Sequence, residues 1–115
     1  MNKNEMIKHA KSLLGSKSIS FNGKFSEVKE NVQNYVFEEV LNTLVYVMNC
    51  RGFSDCRHKA CNALHNDPYA KVITNVATQA CFNVHVGFVN VGQYSDFIRD
   101  LCSVYVSDNW EKLAD

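Results

Sequence analysis

Cys50, Cys56, His58, Cys61, His65, Cys81 and His85 are the residues whose side chains could bind a metal or move a proton. A thiolate and a neutral imidazole together suit zinc. His58, Cys61 and His65 are spaced i, i+3, i+7, which places them on one face of a helix. Cys61-x3-His65 and Cys81-x3-His85 repeat an i, i+4 spacing on successive helices. In an antiparallel hairpin those two pairs fall at opposite ends, roughly 20 Å apart at 1.5 Å per residue. The more reachable grouping is Cys50, Cys56 and His58 around Gly52, joined by Cys81. No C-x2-C spacing anchors a zinc module, however. Cysteine is also commonly a small buried apolar residue. No metal and no cofactor are therefore expected.

A second chemistry is phosphodiester cleavage. Arg51-x6-His58 resembles, by count, the arginine–histidine spacing of small helical ribonucleases of the HEPN type. That resemblance covers two residues and the all-helical class. It implies a histidine for acid–base work and an arginine to stabilise phosphate. Gly52 interrupts the segment between them. No G-x-S-x-G is present, and five glycines leave little from which to build a phosphate loop. Glu38-Glu39 could form an acid pair, but a solvated helix stripe explains them more simply. No catalytic set is expected.

Charge points to binding instead. The 115 residues carry 12 Lys+Arg and 12 Asp+Glu, a formal net charge of zero. Bulk attraction to nucleic acid is disfavoured by that balance. The sum hides local division: residues 1–24 carry +4, 25–50 carry −3, 51–71 carry +2 and 72–115 carry −3. Arg57, His58 and Lys59 run consecutively in a segment poor in large apolar residues. With Arg51, Phe53 and Tyr69 they form the candidate partner-binding set, and Tyr94 and Trp110 are further exposed-face candidates. A non-enzymatic protein-binding protein is expected, an inhibitor, adaptor or small subunit of the size viruses and mobile elements encode. Nucleic-acid contact through the basic 51–59 segment is the alternative.

The elements that must carry these residues are helical. Val28, Val32, Val36, Val40, Leu44 and Met48 form an i, i+4 stripe, widened by Tyr35, Phe37, Leu41 and Val45. This predicts a long central helix over about 26–49, capped by Ser26 with Glu27 and Glu30 in its first turn. By residues 44–48 it is apolar nearly all round, which predicts burial on most sides. Ser54 is the expected cap of a helix over about 55–66. Asn66-Asp67-Pro68 is a stop and restart, because proline disfavours helix in the preceding residue and suits a first turn. Tyr69, Val72, Ile73, Val76 and Ala80 continue as an amphipathic helix. Phe82, Val84, Val86 and Phe88 alternate with Asn83, His85 and Gly87, so 82–91 reads either as a strand or as a helix end. Gly92 resets the chain, and Ser95 is the expected cap of a last helix bearing Phe97, Ile98, Leu101, Cys102, Val104 and Tyr105. A final turn runs through Trp110 and Leu113.

Ahead of these, Met6, Ile7, Ala10, Leu13 and Leu14 suggest a short helix over 4–14. Asn22-Gly23 suggests a hairpin near 18–25. The fold expected is one mostly α domain of four to five helices. Five cysteines, an odd number, with a polar start and no long apolar run predict free thiols in the cytoplasm, with no membrane span.

Overall fold

The computed structural model describes residues 5, 8, 25–85 and 90–114. Five helices follow one another in the two long stretches: α1 Phe25–Cys50, α2 Cys56–Asn66, α3 Pro68–His85, α4 Val91–Asp108 and α5 Trp110–Leu113. Among the described residues there is no strand. The mostly α architecture around a long central helix is as expected. The hairpin near 18–25 lies outside the described residues except for Phe25, which is already helical. The 4–14 helix also lies outside them, apart from Glu5 and Lys8, both helical.

At 26 residues, α1 is about 39 Å long. Its valine stripe forms the spine of the core: Val36, Val40, Leu44 and Met48 are fully buried. Residues 44–48 are buried on most sides, as expected, and Tyr46 marks the one solvent face the helix keeps there. Helix α2 contributes small buried residues, Cys56, Ala60 and Ala63, together with Leu64. Small side chains bring helix axes close, which explains how a segment with so few large apolar residues still packs. Ala70, Ile73 and Ala77 from α3 and Phe97, Ile98, Leu101, Cys102, Tyr105 and Val106 from α4 complete the core.

Side-chain contacts fix the helix directions. Arg51, just past α1, bonds Ser103 and Ser107 near the end of α4, whereas Glu39 influences Tyr94 near its start. Helices α1 and α4 therefore run the same way. Tyr69 at the start of α3 reaches Asp108 at the end of α4, and Cys81 lies beside Tyr94, so α3 runs opposite to α4. Helix α2 runs back along α1, with the His65 ring 5.1 Å from that of Phe37.

The chain breaks have local causes. Gly52, at φ +83°, ends α1 in a Schellman motif: Phe53 N donates to Met48 O and Gly52 N to Asn49 O, both at 3.1 Å. Asp55, and not Ser54, is the residue before α2. It is left-handed at φ 54° and its side chain makes no cap bond. Asp67 starts α3 as an N-cap, with Oδ1 accepting from Tyr69 N at 3.0 Å. Helix α4 begins four residues before Ser95. Asn90 is its cap, and a reciprocal capping box pairs Asn90 Oδ1 with Gln93 N (2.8 Å) and Gln93 Oε1 with Asn90 N (3.1 Å). Gly92 therefore lies inside the first turn and breaks nothing. The 82–91 ambiguity resolves to a helix end through His85; 86–89 lie outside the described residues.

Candidate partner-binding face

Around the α1–α2 turn, the Schellman geometry sets Phe53 down beside α5. Its ring meets that of Trp110 edge-on, with centroids 4.7 Å apart. Lys59, one turn into α2, holds its ammonium 6.0 Å from the Phe53 ring centroid. Trp110 is positioned by the α4–α5 junction. There the buried Asn109 donates Nδ2 to Tyr105 O at 2.9 Å and accepts from Leu113 N at 3.1 Å. The indole remains half exposed (50 %) on this rigid mount. A half-exposed tryptophan backed by a second ring suits the anchor of a protein interface.

Beside this aromatic pair, α2 presents Arg57, His58, Asn62, His65 and Asn66 to solvent, and α2 contains no carboxylate. Between α2 and α5 lies an open groove of about 320 Å³ reaching from Lys59 to Lys112. At its floor Asp67 gathers several donors. Tyr105, itself buried, donates its hydroxyl to Oδ2 at 2.7 Å, and Lys112 Nζ stands 4.0 Å away. Tyr69 stacks edge-on against Tyr105 at 5.3 Å and donates to Asp108 Oδ2 at 3.0 Å. Burial first, and then the bond to Asp108, pushes the Tyr69 phenol up to about 12.

The six residues expected to bind a partner thus have different places. Phe53 and Lys59 join with Trp110 in one patch, and Arg57 and His58 are exposed on the same helix as Lys59. Arg51 is exposed, but its guanidinium is held by α4, donating to Ser107 Oγ at 2.5 Å and to Ser103 O at 3.3 Å. Tyr69 is half buried and braces the junction of α3 and α4. Tyr94 is a correction: it is buried, its hydroxyl near Glu39 and Cys81 without hydrogen-bond geometry to any described group. Sequence reading missed Asp67, Tyr105 and Lys112 as a cluster. Asp67 was detectable as an N-cap before Pro68, but nothing local tied it to Tyr105, 38 positions away.

The metal-type residues do not converge. Among the described residues no group of three or more His, Cys, Asp or Glu stands close enough to hold an ion. Cys56 is buried and donates its thiol to Phe53 O at 3.1 Å, and Cys102 is buried with its pKa raised to about 12 by desolvation. Cys102 is therefore not set up as a thiolate. Arg51 lies in the turn after α1 and His58 on α2, with Gly52 between them, so the two-residue HEPN spacing is not carried on one helix.

No family model, curated protein or solved structure matches the chain. Among the described residues no helix is long and apolar enough to cross a membrane.

Proposed function

We propose that this is a non-enzymatic protein-binding protein, an inhibitor, adaptor or small subunit of a cytoplasmic complex, of the kind encoded by viruses and mobile elements. Its binding face is the Phe53–Trp110 pair together with Lys59 and the exposed side of α2. The observation that carries this is Trp110, a large apolar side chain left half exposed on a firmly braced mount. Preorganised aromatic anchors contribute to association because little side-chain freedom is lost on binding. The free cysteines agree with a reducing compartment.

The test is affinity capture with the intact chain, run in parallel with Trp110→Ala and with Tyr46→Ala, which alters an exposed tyrosine on α1. A stoichiometric protein retained by the wild type and Tyr46→Ala but lost from Trp110→Ala supports the proposal. Capture of no protein, combined with nanomolar and salt-sensitive binding to nucleic acid, would overturn it.

A further inference from the structure

We propose that a second face, separate from the Phe53–Trp110 pair, joins this chain to a copy of itself. In that contact α1 of one protomer packs antiparallel against α1 of the other, about a two-fold axis between residues 40 and 41. Tyr35, Asn42, Tyr46 and Asn49 are spaced i, i+7, i+11, i+14, which lines them up along the solvent side of α1 for about 21 Å. All four are exposed, Tyr35 at 61 % and Tyr46 at 60 %, and none is charged. Tyrosines in place of Lys or Glu on an exposed helix line match the composition of an interface core. Beside this line an open groove of about 330 Å³ runs between α1 and α4, with Glu39, Thr43 and Tyr46 on one wall and Ser95, Ile98 and Arg99 on the other. Val91, 67 % exposed, lies one turn before Ser95 on the same side of α4. Three of the four large apolar side chains left exposed among the described residues therefore border this face, Trp110 being the fourth.

The spacing of the unsatisfied groups specifies a copy of the chain. Among the described residues Asn42 and Arg99 make no hydrogen bond or ion pair, and no cation pairs with Glu39, whose neighbours are the Tyr35 and Tyr94 hydroxyls. Glu39 and Arg99 share the groove without meeting. Arg99 is five residues beyond Tyr94, about 7.5 Å further along α4 than the level of Glu39. An antiparallel copy centred between residues 40 and 41 sets Tyr35 opposite Tyr46 of the second copy, and Asn42 opposite its Glu39. That Glu39 stands three residues, about 4.5 Å, closer to the level of Arg99 than the chain's own. A two-fold axis lying in the contact plane and perpendicular to α1 also keeps the two α4 sides together, so each Arg99 faces Glu39 of the other copy. Every contact then occurs twice, as an isologous interface requires: ring against ring, and amide and guanidinium against carboxylate. The other nearby carboxylates point elsewhere. Asp96 and Asp100 lie about 100° and 140° around α4 from Ser95, and Glu38 lies across the tyrosine line from Glu39. The groove itself thus holds one carboxylate and one guanidinium, a balance that draws neither an acidic nor a basic foreign partner.

The experiment is analytical ultracentrifugation of the full chain over a wide concentration range, under reducing conditions so that exposed Cys50 forms no disulfide. A contact two helices wide and about 21 Å long is a small interface, so the mass should rise from monomer to dimer with a Kd of about 10–100 μM. Tyr46→Ala, Glu39→Arg and Arg99→Glu should each weaken the dimer at least about tenfold, with circular dichroism confirming that they are folded. The decisive arm mixes the two charge variants. A two-fold contact returns opposite charges at both positions, so the mixture should regain the association that neither variant shows alone. A chain monomeric at every concentration, a dimer indifferent to Tyr46→Ala and Arg99→Glu, or charge variants that stay apart when mixed each overturns the proposal. In a monomeric chain, carbodiimide cross-links from Lys8 or Lys11 to Glu39 would assign the face to residues 1–24, and a foreign protein lost from Tyr46→Ala would assign it to a foreign partner. Trp110→Ala should dimerise as the wild type does, so the result is independent of the binding face proposed above.

Discussion

Replacing Asp67 by alanine should be among the most damaging changes at any partly solvent-exposed position of this protein. The side chain does two jobs that can be priced separately. As N-cap of α3 it accepts the Tyr69 amide at 3.0 Å, and loss of such a cap costs about 1 kcal/mol. Its other oxygen accepts the Tyr105 hydroxyl at 2.7 Å; Tyr105 is 1 % exposed, so removing the acceptor strands a buried donor at about 1–3 kcal/mol. The contact with Lys112, at 4.0 Å to a largely exposed ammonium, adds close to nothing. The expected total is about 2–4 kcal/mol, or a fall in Tm of roughly 10–25 °C for a domain of this size. Chemical denaturation of Asp67→Ala, Tyr105→Phe and the double variant isolates the terms. In the Tyr105→Phe background no hydroxyl is left to strand, so Asp67→Ala should then cost only the cap, about 1 kcal/mol, giving a coupling energy of about 1–3 kcal/mol. A cost below about 1 kcal/mol for Asp67→Ala, or the same cost in both backgrounds, would refute the assignment of Asp67 as the acceptor that joins α3 to α4.

Other consequences are testable on the same purified protein. Tyr94→Phe removes a buried hydroxyl that has no hydrogen-bond partner among the described residues, so it should be neutral or stabilise by up to about 1 kcal/mol in urea melts. Burial, ahead of neighbouring Glu39 and Asp67 respectively, raises the Tyr94 and Tyr105 phenols, and burial raises the Cys102 thiol to about 12. Protons held more tightly by the folded than by the unfolded state stabilise it fully below the unfolded values, about 9 for the thiol and 10 for the phenols. Stability followed by circular dichroism should therefore be level up to about pH 9 and fall as pH rises toward 12, with no such loss on moderate acidification from these groups. Gly52→Ala meets no neighbour within 4 Å, yet forces a side chain onto φ +83°, and should cost about 1 kcal/mol. Asp55→Gly, at φ 54°, should be neutral or slightly stabilising by the same reasoning, and thermal melts of the pair check both.

What was legible in the sequence was whatever depends on neighbours along the chain. The valine stripe of α1 specified a buried helix because i, i+4 spacing is geometry, and Pro68 marked the α2–α3 break because its ring constrains the preceding residue. The misreadings came where one local signal was weighed against another. Gly92 looked like a breaker, yet glycine is tolerated where the first-turn amides have no intrahelical partner anyway, and the stronger signal was the Asn90…Gln93 capping box. The alternation of Phe82, Val84 and Val86 left strand and helix end both open, and the helix end prevailed because α3 was already propagating from Pro68 with Ile73 and Ala77 buried and carried on through His85.

The candidate face was legible only in part, for a reason that lies in the fold's connectivity. Arg57, His58 and Lys59 stand together in the sequence, so their basic character could be read directly. The residues that turn that stretch into a shaped surface come from the far end of the chain: Trp110 against Phe53, Lys112 across the groove from Lys59, and Tyr105 beneath Asp67. They meet because α4 runs parallel to α1 and delivers its C-terminus to the α1–α2 turn, where Ser103 and Ser107 take up Arg51. The same junction separates the face proposed to bind from the residues that hold the fold. Trp110 and Lys112 sit outward on α5, whereas Tyr105, Asn109 and Asp67 hold that helix from within. Changes at Trp110 should therefore alter the proposed recognition in a folded protein, and changes at the inner three should unfold the mount that carries the proposed face.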